Sequence, residues 1–233
     1  QSVSSNSTGY HNITASGSTT WNGFIGVEGS SGVWKDQSGK GNDATITTPT
    51  IGLDGPTASA NGYWEFDGTD DSMIIGTLGY DYSKLITLEA WVYPEGSSGN
   101  WNQIVCGEAG DVLWAIDPVN RLNFGSQTNT PIPHDHPSGD AIPMSAWIHL
   151  MTTYDGAKVK HYINGKFNAE YNQTGSLNHN EGTHPIRIGS RGTGTGEFFN
   201  GKIGEVRIYP RALTEAQAYQ NYNASKPKYL NLA

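Results

Sequence analysis

Strict two-residue alternation, in short runs bounded by turn clusters, is the feature that most constrains what this chain can fold into. In Gly62-Tyr63-Trp64-Glu65-Phe66-Asp67-Gly68, Trp64 and Phe66 fall on one face of a strand and Glu65 and Asp67 on the other. Gly68-Thr69-Asp70-Asp71 then turns the chain, and Ser72-Met73-Ile74-Ile75 resumes it. The run 86–94 puts Ile86, Leu88, Ala90 and Val92 on one face and Glu89, Trp91 and Tyr93 on the other. Further strands are predicted at 103–106, 112–117, 121–124, 147–154, 159–163, 166–171, 186–189 and 203–209, with Asn164-Gly165 as a hairpin turn. One segment reads as a helix. Thr214 is its N-cap, 215–222 its body, and Tyr219 and Tyr222 share the face expected to anchor it. The pattern is all-β, with one short C-terminal helix.

Composition agrees. Only 15% of residues are charged, while seven Trp, twelve Tyr and six Phe supply apolar area in few side chains. A β-sandwich of 233 residues forms one domain. The division expected is a Ser/Thr/Asn-rich arm at 1–20, a sandwich at 21–223 and a tail at 224–233. The net charge is −8 and Lys and Arg are scattered singly, which excludes nucleic acid and anionic membranes as natural partners. No apolar stretch reaches the ~18 residues of a membrane span. The single cysteine, Cys106, sits in an apolar run and is expected as a buried thiol. Beginning at Gln1 rather than Met, the chain reads as a processed product or a piece of something longer.

Five separate strings, in order over about residues 33–222, resemble a known family. VWKDQSGKGNDATI resembles its opening, YWEFDGTDDSMIIG its strand pair, and ITLEAWVYPEG its Trp-containing strand. WIHLMTTYDGAKVKHYINGK resembles its hairpin pair and FNGKIGEVRIYPRALTEAQA its closing strand and helix. The family is that of the laminin-G-like, concanavalin A-like jelly-roll domains, in part similar to pentraxins. The resemblance implies a two-sheet antiparallel jelly-roll sandwich. It does not imply one function, because the fold hosts lectins, adhesion modules, hydrolases, lyases and structural proteins. The ending QNYNASKPKYL also resembles the tail of such domains in bacteriophage structural proteins.

The resemblance raises calcium, but the usual ligands are missing. The resemblance places Ser190-Arg191-Gly192-Thr193 where pentraxins carry an acidic run, leaves Asp111 without its partners, and puts Gly204 where other members carry an Asp one residue before the closing EVRIY. Asp36, Asp43, Asp70 and Asp71 are the carboxylates left to build a different site, although such residues more often cap turns. No cofactor is therefore expected. The glycosidase pattern of this fold is approached by Glu65 and Asp67, but its final Glu is absent. His134 and His136, in the proline-rich loop 131–143, are two ligands where a metal needs more.

Sugar recognition needs exposed rings with amides or carboxylates beside them. Trp101, flanked by Asn100 and Asn102, is the first candidate, followed by Trp34, Phe198 and Phe199. The expectation is a non-catalytic recognition or assembly module on an extracellular or virion surface, such as a head decoration or fibre component. Its partners would be a cell-surface glycan and further copies of itself or other virion subunits. The alternative is a secreted polysaccharide hydrolase or lyase on the same fold.

Overall fold

A computed structural model of the chain describes residues 22–25, 33–36, 38–46, 57–59, 62–75, 78, 81–96, 100–107, 112–126, 139–177 and 185–231. The arm at 1–20, Asp111 and the histidines of the 131–138 segment lie outside the described residues.

Fifteen strands and one helix follow in chain order. They are β1 (Asn22–Ile25), β2 (Val33–Trp34), β3 (Ala44–Ile46), β4 (Thr57–Ser59), β5 (Tyr63–Asp67), β6 (Met73–Ile74), β7 (Ile86–Pro94) and β8 (Asn102–Gly107). Then come β9 (Leu113–Ile116), β10 (Leu122–Gly125), β11 (Ile148–Tyr154), β12 (Lys158–Ile163), β13 (Lys166–Asn172), β14 (Ile186–Ile188), β15 (Asn200–Tyr209) and α1 (Glu215–Tyr229). They form two antiparallel sheets. One runs β13-β12-β11-β7-β15-β5-β4, with β1 also paired to β15; the other runs β10-β9-β8-β14-β6-β3-β2. This is the expected jelly-roll sandwich.

The alternation read from the sequence sets the core. Leu88, Ala90, Val92, Leu150, Val206 and Ile208 face Ile104, Trp114, Ile116, Phe124 and Ile188 of the opposite sheet, all but sealed from solvent. A second buried layer lies outside the first sheet, because α1 packs there. The ring of Trp91 stacks on Tyr229 at 4.7 Å and on Tyr222 at 5.7 Å, and its indole N–H donates to Ser225 Oγ at 2.7 Å. Both faces of β7 are consequently buried, not one.

The helix is longer than its sequence signal. Its N-terminus is as read: Thr214 and Gln217 form a reciprocal capping box. It continues past Tyr222, however, and carries Pro227 inside its last turns, where a tail was expected. A proline there forfeits a backbone hydrogen bond. Burial of Tyr229, whose hydroxyl donates to Gly204 O at 2.7 Å, offsets that loss. Tyr219 is 54% exposed, so the anchoring face is Ala218, Tyr222, Ser225 and Tyr229, not Tyr219 with Tyr222.

Gly204 marks a bulge in β15, where the strand hands over from β5 to β1 on one side while keeping β7 on the other. A Cβ at Gly204 would lie 2.3 Å from Tyr229 Cε1. Position 204 must here be small, because the helix places an aromatic ring against it.

Candidate functional site

The sequence separates 100–103 from 190–200 by some ninety residues; the seven-stranded sheet brings them together. The Gln103 N–H donates to Glu197 O at 3.3 Å, and the Asn200 N–H donates to Asn102 Oδ1 at 3.4 Å. The two segments therefore run side by side at one rim of the sandwich. Trp101 and Phe198 are half-buried there, and Asn100 is exposed.

The other three sugar candidates do not reach solvent. Asn102 is buried, and its amide donates to Gly96 O at 3.2 Å. Phe199 is sealed edge-on against Phe66, with ring centroids 6.2 Å apart, and Trp34 is sealed beside Trp64 at 6.3 Å. These rings plug the sandwich, since burying a large aromatic outweighs displaying it unless a ligand requires it.

The 190–198 loop is braced by hydrogen bonds at several points. Arg191 and Gly194 close a turn through Gly194 N–H to Arg191 O at 2.7 Å, and Arg187 Nε donates to Gly192 O at 2.9 Å. The Gly192 N–H donates to the buried sulfur of Cys106 at 3.2 Å, the expected sealed thiol with an added anchoring role. Glu197 takes a left-handed backbone, φ 52°, unusual for a residue with a side chain. Gln103 Nε2, donating to its carboxylate at 2.6 Å, and Arg191, 3.5 Å away, hold it in place. Gln103 and Glu197 were not singled out from the sequence; only the glycine spacing at 189–196 hints at a tight loop. The two segments thus carry Trp101 and Phe198 as half-buried apolar surfaces, and Asn100, Arg191, Thr193 and Thr195 as exposed polar residues.

The four candidate metal carboxylates do not converge. Asp36 and Asp43 organise the turn between β2 and β3. Asp36 accepts from the Ser38 and Asn42 N–H groups at 2.8 and 3.0 Å, and Asp43 from the Asp36 N–H at 3.0 Å. The Lys35 ammonium at 2.5 Å, with that backbone bond, draws the Asp43 pKa below its ordinary value. Asp70 and Asp71 sit instead in the turn after β5, joined by Asp67 rather than by the first pair. Their oxygens lie within 4.8 Å of one another, so Asp67, Asp70 and Asp71 are the described residues that would hold a hard cation such as calcium. Two of these groups also cap the turn: Asp71 accepts from the Asp67 N–H at 2.9 Å, and Asp67 from the Thr69 N–H at 2.7 Å.

Glu65 and Asp67, the nearest approach to a glycosidase pair, are both exposed on β5, and Lys202 stands opposite Glu65 in register. A more concentrated charge cluster lies under α1. Glu89, 2% exposed, accepts from His149 Nε2 at 2.9 Å, Arg207 at 3.0 Å, Tyr209 at 3.1 Å and Asn221 at 2.8 Å. Burial pushes its pKa up, but the Arg207 charge and the His149 hydrogen bond outweigh that and bring it down to about 2. Arg207 also pairs with Glu205. Sealed between strand and helix, this network docks α1.

The family model described as Concanavalin A-like lectin/glucanases superfamily matches residues 67–218, well over half of the chain. The chain belongs to this superfamily. No curated protein matches it. Among solved structures, the chain is similar to domain 4 of AbnA, an extracellular arabinanase from Geobacillus stearothermophilus, in complex with arabinotriose. The TM-score is 0.61 and the identity 23%, over 79% of this chain and 90% of that one. It is also similar to a Trypanosoma rangeli sialidase mutant displaying trans-sialidase activity, with TM-score 0.64 and 16% identity over 90% of this chain but 33% of that one. The binding domain of Paraclostridial Mosquitocidal Protein 1 matches with TM-score 0.62 and 15% identity, over 88% of this chain and 52% of that one. This superfamily chain thus spans about a third of the sialidase and half of the mosquitocidal binding domain. At these identities the likeness is one of fold.

Proposed function

We propose that this chain is a non-catalytic carbohydrate-recognition module of an extracellular protein. The observation that carries the reading is the braced rim, where Trp101 and Phe198 stay partly open beside Asn100 on a loop fixed by Gln103 and Glu197. Rigid display of aromatic surface next to polar groups is what stacking on a sugar ring requires. The similarity to a domain solved with arabinotriose supports it. A glycan array including arabinotriose tests it. Binding that weakens in Trp101→Ala and Phe198→Ala, with unchanged melting, is the expected result; silence across the array sinks the reading.

The rival is a hydrolase or lyase using Glu65 and Asp67. Release of reducing ends from a polysaccharide, abolished by Glu65→Gln, would establish it. The narrower expectation of a virion decoration or fibre subunit rests on the QNYNASKPKYL ending, which here forms the later turns of α1 and docks on its own sheet. Light scattering of the chain with and without residues 1–20 tests assembly through the arm. A monomer in both forms would count against it.

A further inference from the structure

A groove of about 590 Å³ opens on the other side of the sandwich, between the edge strand β13 with its neighbour β12 and the segment entering α1. Its floor is the outer face of the eight-stranded sheet, where Thr153 stands opposite Lys160 and Tyr162 opposite Phe167. One wall is Phe167 and Glu170; the other is Ala212, Leu213 and Glu215. The entering segment is pinned by Thr87, whose Oγ1 donates to Arg211 O at 2.7 Å and accepts from the Leu213 N–H at 2.9 Å. The groove is thus built from anchored elements.

Its lining selects a ligand class. Phe167 is 46% exposed and leans edge-on against Tyr162 at 6.2 Å, which fixes an open ring on the wall. Aliphatic carbons of Ala212 and Leu213 face it from the other side. Around this apolar slot Glu215 offers acceptors and Lys160 donors, beside Asp155, whose Oδ1 already accepts from the Ala157 and Lys158 N–H groups at 2.9 and 2.7 Å, and Thr153, which hydrogen-bonds Tyr162. Asp155, Glu170 and Glu215 outnumber the ammoniums of Lys160 and of Lys158 on Glu170, which disfavours an anion, and Glu215 in the first turn of α1 already sets a negative charge at that helix end. A cation is no better served. Lys160 stands inside the groove, and Glu170 is already engaged by Lys158 at 2.5 Å and Lys160 at 4.0 Å. What remains is an uncharged ligand with an apolar face and edges that both donate and accept.

We infer that this groove is a second saccharide site, taking an uncharged sugar unit stacked on Phe167. It is independent of the rim and shares with that reading only the premise that the chain recognises sugars. The rim loop lies against the outer face of one sheet and the groove in the outer face of the other, so the two sites can be filled together. A chain with two such sites bridges neighbouring glycan strands or gains avidity on one surface.

The test uses the full chain, titrated by NMR with arabinotriose, cellotriose and mannotriose as neutral probes and trigalacturonate as the acidic one. At least one neutral trimer should shift the Phe167 and Lys160 resonances, and trigalacturonate should not. Phe167→Ala should weaken that binding about tenfold, the scale of one lost aromatic stacking contact, and Phe167→Trp should retain it. Trp101→Ala should leave the groove shifts unchanged. If the Trp101 indole moves with sugar while Phe167 and Lys160 stay still, the groove inference is overturned and the rim stands. If the groove resonances move and the indole does not, the groove stands and the rim fails. Stronger binding of trigalacturonate at the groove, or no shift by any neutral trimer, also overturns the inference.

Discussion

Acid should destabilise this domain through one buried imidazole before it touches the carboxylates. His161, on β12, is sealed in the sandwich, with its Nδ1 2.8 Å from Thr152 Oγ1, and that hydroxyl oxygen accepts from the Trp114 indole at 2.8 Å. Burial disfavours the charged ring and lowers its pKa from 6.5 to about 3. Because the folded-state pKa is depressed, the unfolded chain binds the proton more readily. Stability is therefore intact above about pH 6.5 and is lost as pH falls from there towards 3. Each pH unit in that window costs about 1.4 kcal/mol, so roughly 3 kcal/mol is gone by pH 4.5. That is a large part of the 5–15 kcal/mol typical of a domain. Glu89 does not confuse the window. Its folded pKa of about 2 lies below the ordinary 4.5, so its contribution is kept above pH 4.5 and fades only as pH drops from there towards 2. The assay is urea unfolding of the wild type and His161→Asn between pH 7.5 and 4.5. Asparagine keeps a polar group near Nδ1 and cannot titrate. The variant should be weaker at neutral pH, and its deficit should shrink by about 1.4 kcal/mol per pH unit below 6.5. Parallel curves for the two proteins would refute the reasoning.

Gly204→Asp should drive a side chain into the Tyr229 ring, undock the end of α1 and cost about 1–3 kcal/mol, seen as a lower Tm with faster amide exchange at 218–229. Arg207→Met should leave Glu89 and Glu205 buried without their shared counter-charge and cost about 3–5 kcal/mol by urea unfolding. Asp36→Ala should remove the acceptor that closes the β2–β3 turn, lowering stability by about 1–3 kcal/mol with or without added calcium.

The strands were legible because each carries its own period. Residues 86–94 were read as a strand with Ile86, Leu88, Ala90 and Val92 on one face, and β7 is that strand with that face in the core. Local turn chemistry was equally legible: Asn164-Gly165 makes its hairpin and Thr214 caps its helix. The site was legible only in part. Trp101 and Trp34 look alike in sequence, each beside a Gly/Ser turn, yet one lies half-open on the rim and the other is sealed against Trp64. Exposure depends on which strand arrives alongside, and that is set by contacts distant in the chain.

Alternation, turn residues and ordered motifs by themselves determined a jelly-roll sandwich with one closing helix, because backbone pairing and two-sided patterning act over a few residues. Tertiary structure alone decided the rest. It carried α1 through Pro227 so that Tyr229 could bury against Trp91, and thereby left room at position 204 for a glycine alone. It split the four candidate carboxylates into separate turns and drew Asp67 into one of them. It also set Phe167 of an edge strand facing Leu213 before the helix, a juxtaposition across some forty-five residues that no local pattern records.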